Sequence, residues 1–245
     1  MSFPAIELRG LSYAYPDGTP ALRDVDLQIA RGESVAVIGA NGAGKSTLLL
    51  HLNGLLMPGG GEVRIDGLAV TRASLQQVRR TVGFVFQDAD DQLFMPTVRD
   101  DVAFGPSNQG LAPEAVRARV SAALESVGAA HLATRAPYRL SGGEKRAVAI
   151  AGVLAMAPSI LVLDEPSSAL DAAARRRLIG LLLALEQTRV IATHDLDLVQ
   201  QVCPRALVMR EGKVEADGAP NALFADRDLL RLCQLEPPPG GGGVQ

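Results

Sequence analysis

Apolar and polar residues alternate over Ile6–Tyr15 and again over Val25–Ile29, the period of strands with one buried face. Asp17-Gly18 between them marks a turn. A further short strand is expected over Gly61–Gly67, bounded by glycines. Elsewhere the alternation gives way to short apolar runs at Ser34–Ile38, Val82–Phe86, Ile160–Leu163 and Arg189–Thr193, the pattern of strands in a sheet interior. From about Asp88 to Ala157 the pattern turns helical, with Pro113–Val127 and Glu144–Ala157 the clearest helices, and Ala172–Leu185 reads as another. Ala206–Asp217 predicts a hairpin around Glu211-Gly212. The outline is an α/β core, residues 1–87 and 159–236, with a helical insertion at about 88–158, all in one domain of residues 1–236. Residues 237–245 belong to the Pro- and Gly-rich tail from Glu236, whose composition predicts disorder.

The 245 residues, 47% hydrophobic, suffice for one large domain or a core with a subdomain. A net charge of −3 provides no global field for nucleic acid or anionic lipid. The start, Met1-Ser-Phe-Pro-Ala-Ile-Glu7, lacks the basic and apolar regions of a secretory signal. The longest weakly polar stretch, Ala147–Leu163, is shorter than the roughly 20 residues of a membrane span and is broken at Pro158-Ser159. It reads as a buried helix, a turn and a buried strand, so the chain is not expected to cross a membrane. Cys203 and Cys233 have no metal-ligand spacing and are expected to stay reduced.

Gly39-Ala-Asn-Gly-Ala-Gly-Lys-Ser-Thr47 fits the phosphate-cradling pattern G-x-x-x-x-G-K-[ST]. Gly39, Gly42 and Gly44 let the backbone curl until successive N–H groups, Asn41 among them, face an anion. The helix from about Lys45 adds the positive end of its dipole. Lys45 can reach the β- and γ-phosphates, the Ser46 hydroxyl suits Mg²⁺, and Thr47 completes the grip. Position supports the reading, because an apolar strand precedes the loop and Leu48-Leu-Leu50 opens a helix. A second anion-binding helix start lies at Leu140-Ser-Gly-Gly-Glu144, where Ser141, Gly142 and Gly143 present a hydroxyl and unobstructed N–H groups.

Leu-Ser-Gly-Gly-Glu is similar to the signature of ABC-type ATPases, and the chain resembles that family over nearly its whole length. The resemblance implies a P-loop fold with a mixed sheet, flanking helices, an N-terminal antiparallel β subdomain and a helical insertion. It also implies a homodimer in which each ATP lies between the phosphate loop of one copy and Ser141-Gly142-Gly143 of its mate. In that setting Asp164, ending an apolar strand, would hold Mg²⁺, and Glu165 would act as general base on the attacking water. Gln87 matches the glutamine that meets Mg²⁺ and that water and links nucleotide to the membrane partner. His194 matches the switch histidine at the γ-phosphate. Ser168-Ala-Leu-Asp171 matches the loop across the dimer interface, and Asp171 can also cap the helix after it. Tyr15 stands where an aromatic stacks on adenine, with Tyr13 the other candidate. His51 and His131 read as helix-surface or packing residues. Ser167 stands where Thr is common and Glu144 where Gln is common, and neither change removes a catalytic group.

The stretch Gln87–Pro106, the run Leu140–Met156 and Thr193–Val199 closely resemble the ATPases of energy-coupling factor (ECF) importers, above all the cobalt and nickel type. This implies an ATPase at the cytoplasmic face of the cell membrane, working with a transmembrane coupling subunit and a substrate-specific membrane subunit. Asp88, Asp90 and Asp91 are expected to cap a helix or meet basic groups on the partner, not to bind the transported ion. A vitamin importer of the same type is the alternative. A soluble mechanical ATPase acting on DNA or ribosomes is another, but a single phosphate loop and no room for a coiled coil between Gln87 and Ser141 weigh against it. A small-molecule kinase would not need the second grip.

Overall fold

The computed structural model describes residues 3–235, so the expected tail lies outside the described residues. Its central sheet places β9 (Arg205–Arg210), β3 (Ser34–Ile38), β8 (Thr188–Ala192), β7 (Ile160–Asp164) and β6 (Val82–Val85) side by side. These five run parallel, and β10 (Lys213–Gly218) closes the edge antiparallel to β9. The predicted hairpin is this β9–β10 pair. A second sheet is antiparallel, in the order β2 (Pro20–Ile29), β1 (Ile6–Ala14), β4 (Gly60–Ile65), β5 (Leu68–Ala69).

Alternation along the parallel strands sorts the core. Val35 and Val37 join the inner residues of β1 and β2 and Leu48, Leu49 and Leu52 of α1 (Lys45–Leu52) in one cluster. Ala36 and Ile38, one residue out of phase, pack in another with α6 (Ala172–Ala184), α7 (Leu196–Val202), α8 (Pro220–Ala225) and α9 (Arg227–Leu232). Helix α1 is therefore held between the two sheets, which fixes the start of the helix that carries the phosphate loop.

Between β6 and β7 the chain leaves the sheet. It passes through a short 3-10 turn at Ala89–Asp91 into α3 (Val98–Asn108), α4 (Pro113–Ser126) and α5 (Gly142–Ala155). These helices form a third cluster around Val98, Val102, Val120, Leu124 and Val148. Helix α5 serves two bodies. Ile150 and Val153 face the sheet cluster, while Val148, Ala151 and Ala155 face α3 and α4.

Periodicity misses α2 (Leu75–Thr81), whose single buried residue, Val78, leaves almost no apolar stripe. It also misses α7, α8 and α9, which are six or seven residues long and too short for a clear period. Asp171 does cap α6, accepting from Ala174 N at 2.7 Å. His51 is wholly buried, not a surface residue, whereas His131 is exposed in a short 3-10 turn. Cys203 and Cys233 are free and buried. Among the described residues no helix is long and apolar enough to cross a membrane.

Leu52 has no exposed surface and joins α1 to the inner cluster. Leu52→Ala is expected to cost about 2–5 kcal/mol in urea denaturation, through lost burial and the cavity left behind.

Candidate functional site

The parallel strands deliver their carboxyl ends to one edge, and a cleft of about 890 Å³ opens there. The turn from β3 into α1 forms its floor. Gly39 has φ 154° there, and a Cβ on it would lie 2.3 Å from the Met209 carbonyl oxygen. Gly44, the residue before α1, has φ 103° and an equally closed neighbourhood at the Ala21 carbonyl. Only glycine fits either place. Asn41, Gly42, Lys45, Ser46 and Thr47 also line the cleft, so the predicted phosphate loop is one concave surface.

Lys45 is buried, and its Nζ donates to the carbonyls of Gly39 at 2.8 Å and Ala40 at 3.1 Å. Burial lowers its pKa, and the carboxylates of Glu165 and Asp164 oppose that shift. Asp164 is also buried at the end of β7, and desolvation raises its pKa while a hydrogen bond from Ser46 draws it down. Its Oδ1 is buried without a hydrogen-bond partner. A buried, unpartnered carboxylate oxygen beside a hydroxyl is an oxygen donor set of the kind Mg²⁺ takes, so these residues fit the ion.

Glu165 follows with φ 45°, a left-handed conformation that is costly for a residue with a side chain. Its amide donates to the Ala192 carbonyl at 2.8 Å, which ties the turn to β8. The carboxylate Oε2 meets Thr193 Oγ1 at 3.1 Å and His194 Nδ1 at 2.9 Å. Glu165 is nearly enclosed, whereas the His194 side chain is 67% exposed and leans over the cleft mouth. Thr193 is the residue here that sequence reasoning missed, and its place at the end of an apolar strand just before His194 was the available signal. Asp195 next to them takes a bidentate contact from Arg175 of α6, at 2.7 and 2.6 Å.

Tyr15 stands at the opposite wall, just past β1, with its hydroxyl 2.9 Å from Thr47 Oγ1. Tyr13 lies edge-on behind it and edge-on against His51, more buried than Tyr15 and off the cleft. Gln87, just past β6, lines the far side.

Ser141, Gly142 and Gly143 are not among the residues lining this cleft. Ser141 caps α5 in a reciprocal pair with Glu144, whose Oε2 accepts from Ser141 N at 2.8 Å and from its hydroxyl at 2.9 Å. Ser141 and Gly142 are exposed, and a Cβ on Gly142 would meet nothing within 4 Å. The segment Ser141–Gly143 thus stands apart from the phosphate loop. The aspartates after Gln87 behave in part as expected. Asp88 caps the 3-10 turn, but Asp90 meets a base of its own chain, Lys145, at 2.6 Å.

A phosphate loop at the carboxyl edge of a parallel sheet, backed by paired acidic residues, defines a P-loop nucleoside triphosphatase. The ABC transporter family profile matches residues 22–168, and the chain belongs to that family. It is 52% identical over 238 residues to the energy-coupling factor transporter ATP-binding protein EcfA of Methanothermobacter thermautotrophicus, covering 95% of this chain and 76% of that protein. Its fold is similar to that of CbiO1 from Clostridium perfringens, part of the ABC transporter complex CbiONQ, with TM-score 0.83, 40% identity and 94% of each chain covered. It is also similar to the dimeric ATP-binding cassette MJ0796 bound to ADP and Pi, with TM-score 0.79, 31% identity, and 87% of this chain and 98% of that one covered. The chain is an ATP-hydrolysing, transport-coupled ATPase, and its likeness within the family is to the ECF type.

Gly39→Ala is expected to weaken ATP binding at least about tenfold, because the loop must shift off Met209 and adopt a strained φ. Titration with a fluorescent ATP analogue, with circular dichroism to check folding, measures this.

Proposed function

We propose that the protein is the ATPase subunit of an ECF-type importer for cobalt or nickel, acting as a homodimer at the cytoplasmic face of the cell membrane. The observation that carries the dimer is the separation of the two grips in one chain: the cleft holds Lys45, while Ser141-Gly142-Gly143 stands apart from it with Ser141 and Gly142 exposed. Two copies arranged head to tail bring each signature over the other's cleft and enclose ATP twice.

Within that sandwich each residue has a physical role. Gly39, Asn41, Gly42 and Gly44 present backbone to the phosphates, and Lys45 leaves its two carbonyls for the β- and γ-oxygens. Tyr15 stacks on adenine, its ring oriented by the bond to Thr47. Asp164, Ser46 and Gln87 would hold Mg²⁺, which when bound neutralises charge developing on the phosphates. Glu165 accepts the proton of the attacking water. Thr193 and His194 fix which carboxylate oxygen faces the cleft, and His194 reaches from there to the γ-phosphate. Asp171 lies in the loop that crosses to the mate. ATP closes the pair and hydrolysis reopens it.

The membrane partner has a matching surface. Phe94 and Phe104 are 64% and 43% exposed and stack edge to face at 5.0 Å, on the helical insertion just past Gln87. An exposed aromatic pair suits an apolar helix of a transmembrane coupling subunit, itself joined to a substrate-specific membrane subunit. With no net positive charge to favour nucleic acid, this surface supports a transporter over a DNA- or ribosome-directed ATPase. The choice of cobalt or nickel over a vitamin rests on the residues Gln87–Pro106 and their resemblance to metal-importer ATPases.

Glu165→Gln is expected to lower kcat at least about 100-fold while ATP still drives stable dimers, measured by phosphate release and light scattering. Hydrolysis at the wild-type rate would remove Glu165 as the base. Phe94→Glu should break co-purification with the membrane subunits and leave ATP binding by the free subunit within about twofold. Cells lacking the protein should lose uptake of radiolabelled cobalt or nickel; unchanged metal uptake with loss of a vitamin would reassign the cargo.

A further inference from the structure

Helix α5 begins at the signature and passes directly beneath the chain that follows β6. Arg146, on its second turn, is buried, an unusual place for a guanidinium. It donates through one terminal nitrogen to the Phe86 carbonyl at 2.6 Å and through the other to the Gln87 carbonyl. The same stretch has two further attachments. Lys145 pairs with Asp90, and Gln92 sends Nε2 to the Ala149 carbonyl at 2.7 Å while its Oε1 accepts from Phe86 N at 3.4 Å. Residues 86–92 are thus fastened to one helix at Lys145, Arg146 and Ala149, which are neighbours on the helix surface.

From this geometry we infer that Arg146 is the positioning residue for Gln87: the signature helix, not β6, sets where that glutamine stands in the cleft. The inference rests on the role given to Gln87 above. Ordinary folding needs do not call for the arrangement. A loop can satisfy two carbonyls with water at far less desolvation than a buried guanidinium. Here the fork holds both carbonyls from α5, with the carboxylates of Asp88, Asp164 and Glu165 close enough to favour its charge. Because α5 starts with the grip that serves the mate's nucleotide, any shift of Ser141 is carried along the helix to Gln87 of the same chain. The catalytic geometry of one cleft then depends on occupancy of the other.

A double-mutant cycle on the full-length protein tests this. Arg146→Lys keeps the charge but loses the planar fork that gives each carbonyl its own terminal nitrogen. It is expected to lower kcat about tenfold with KM for ATP changed less than about twofold. In a Gln87→Ala background the same substitution should cost less than about twofold, because the group it positions is gone. A merely structural arginine would instead multiply its loss onto that of Gln87→Ala, and that outcome overturns the inference while leaving Gln87's role intact. Wild-type turnover in Gln87→Ala would sink the reading of Gln87 itself and the tether with it. If Arg146→Lys does not fold, the exposed pair decides: Asp90→Lys should slow turnover about threefold, and adding Lys145→Asp should restore it. No recovery in the reversed pair overturns the tether.

Discussion

Strands that run in parallel must bring their carboxyl ends to one edge, and the whole site follows from that constraint. Lys45 comes just after β3, Gln87 after β6, Asp164 and Glu165 at the end of β7, and Thr193 and His194 after β8. These strands are far apart in sequence, yet ladder hydrogen bonds hold them in register, as with Val37 opposite Ala192 and Asp164 opposite Ala192 in turn. The sheet alone brings these residues to one edge. The sheet interior is closed on both faces by apolar clusters, so the edge is rigid where precision is needed.

That rigidity lets the edge carry charge that a looser structure would neutralise. Lys45 and Asp164 are both buried, and burial pushes each toward its neutral form: the lysine's pKa falls and the carboxyl's rises. Their mutual attraction offsets part of the cost, while Glu165 repels Asp164 and supports Lys45. A triphosphate with Mg²⁺ would complete this balance, because Lys45 would gain anions and Asp164 Oδ1 a cation. The left-handed turn at Glu165 belongs to the same economy. Strain and unpartnered charge at a site are tolerated when surrounding strands overdetermine the conformation.

Much of this was legible in the residue order because the relevant physics is local. A phosphate loop needs glycines at set spacings, and Gly39 and Gly44 prove to be positions with no room for a Cβ. Asp171 reads as a cap because a carboxylate before a helix satisfies free amides, and it does so here. What stayed hidden depends on distance across the fold. Thr193 carries no motif, and its bond to Glu165 exists only because β7 and β8 are adjacent. Arg146 looks like one more base in a helix until α5 is laid under residues 86–92. Asp90 was expected to cap a helix or to meet a base on the partner, but it pairs with Lys145 of its own chain, placed there by the same packing. For His51 the residue order left surface and packing open, since α1 buries polar Lys45 and Thr47 along with its leucines and has no clear polar face to mark its outside.

The packing of helix α5 on two bodies accounts for how the proposed second anion grip can stand apart from the first. Ile150 and Val153 commit one stripe to the sheet, while Val148, Ala151 and Ala155 commit another to the insertion. The start of the helix lies outside the cleft lining while its second turn stays fastened beside Gln87. In the proposed dimer, a grip outside its own cleft would serve the second copy, and the fastening would give that service a route back to the local cleft. The proposed head-to-tail pairing thus has its basis in how a single helix is packed, with Ser141 and Gly142 exposed where a mate would meet them.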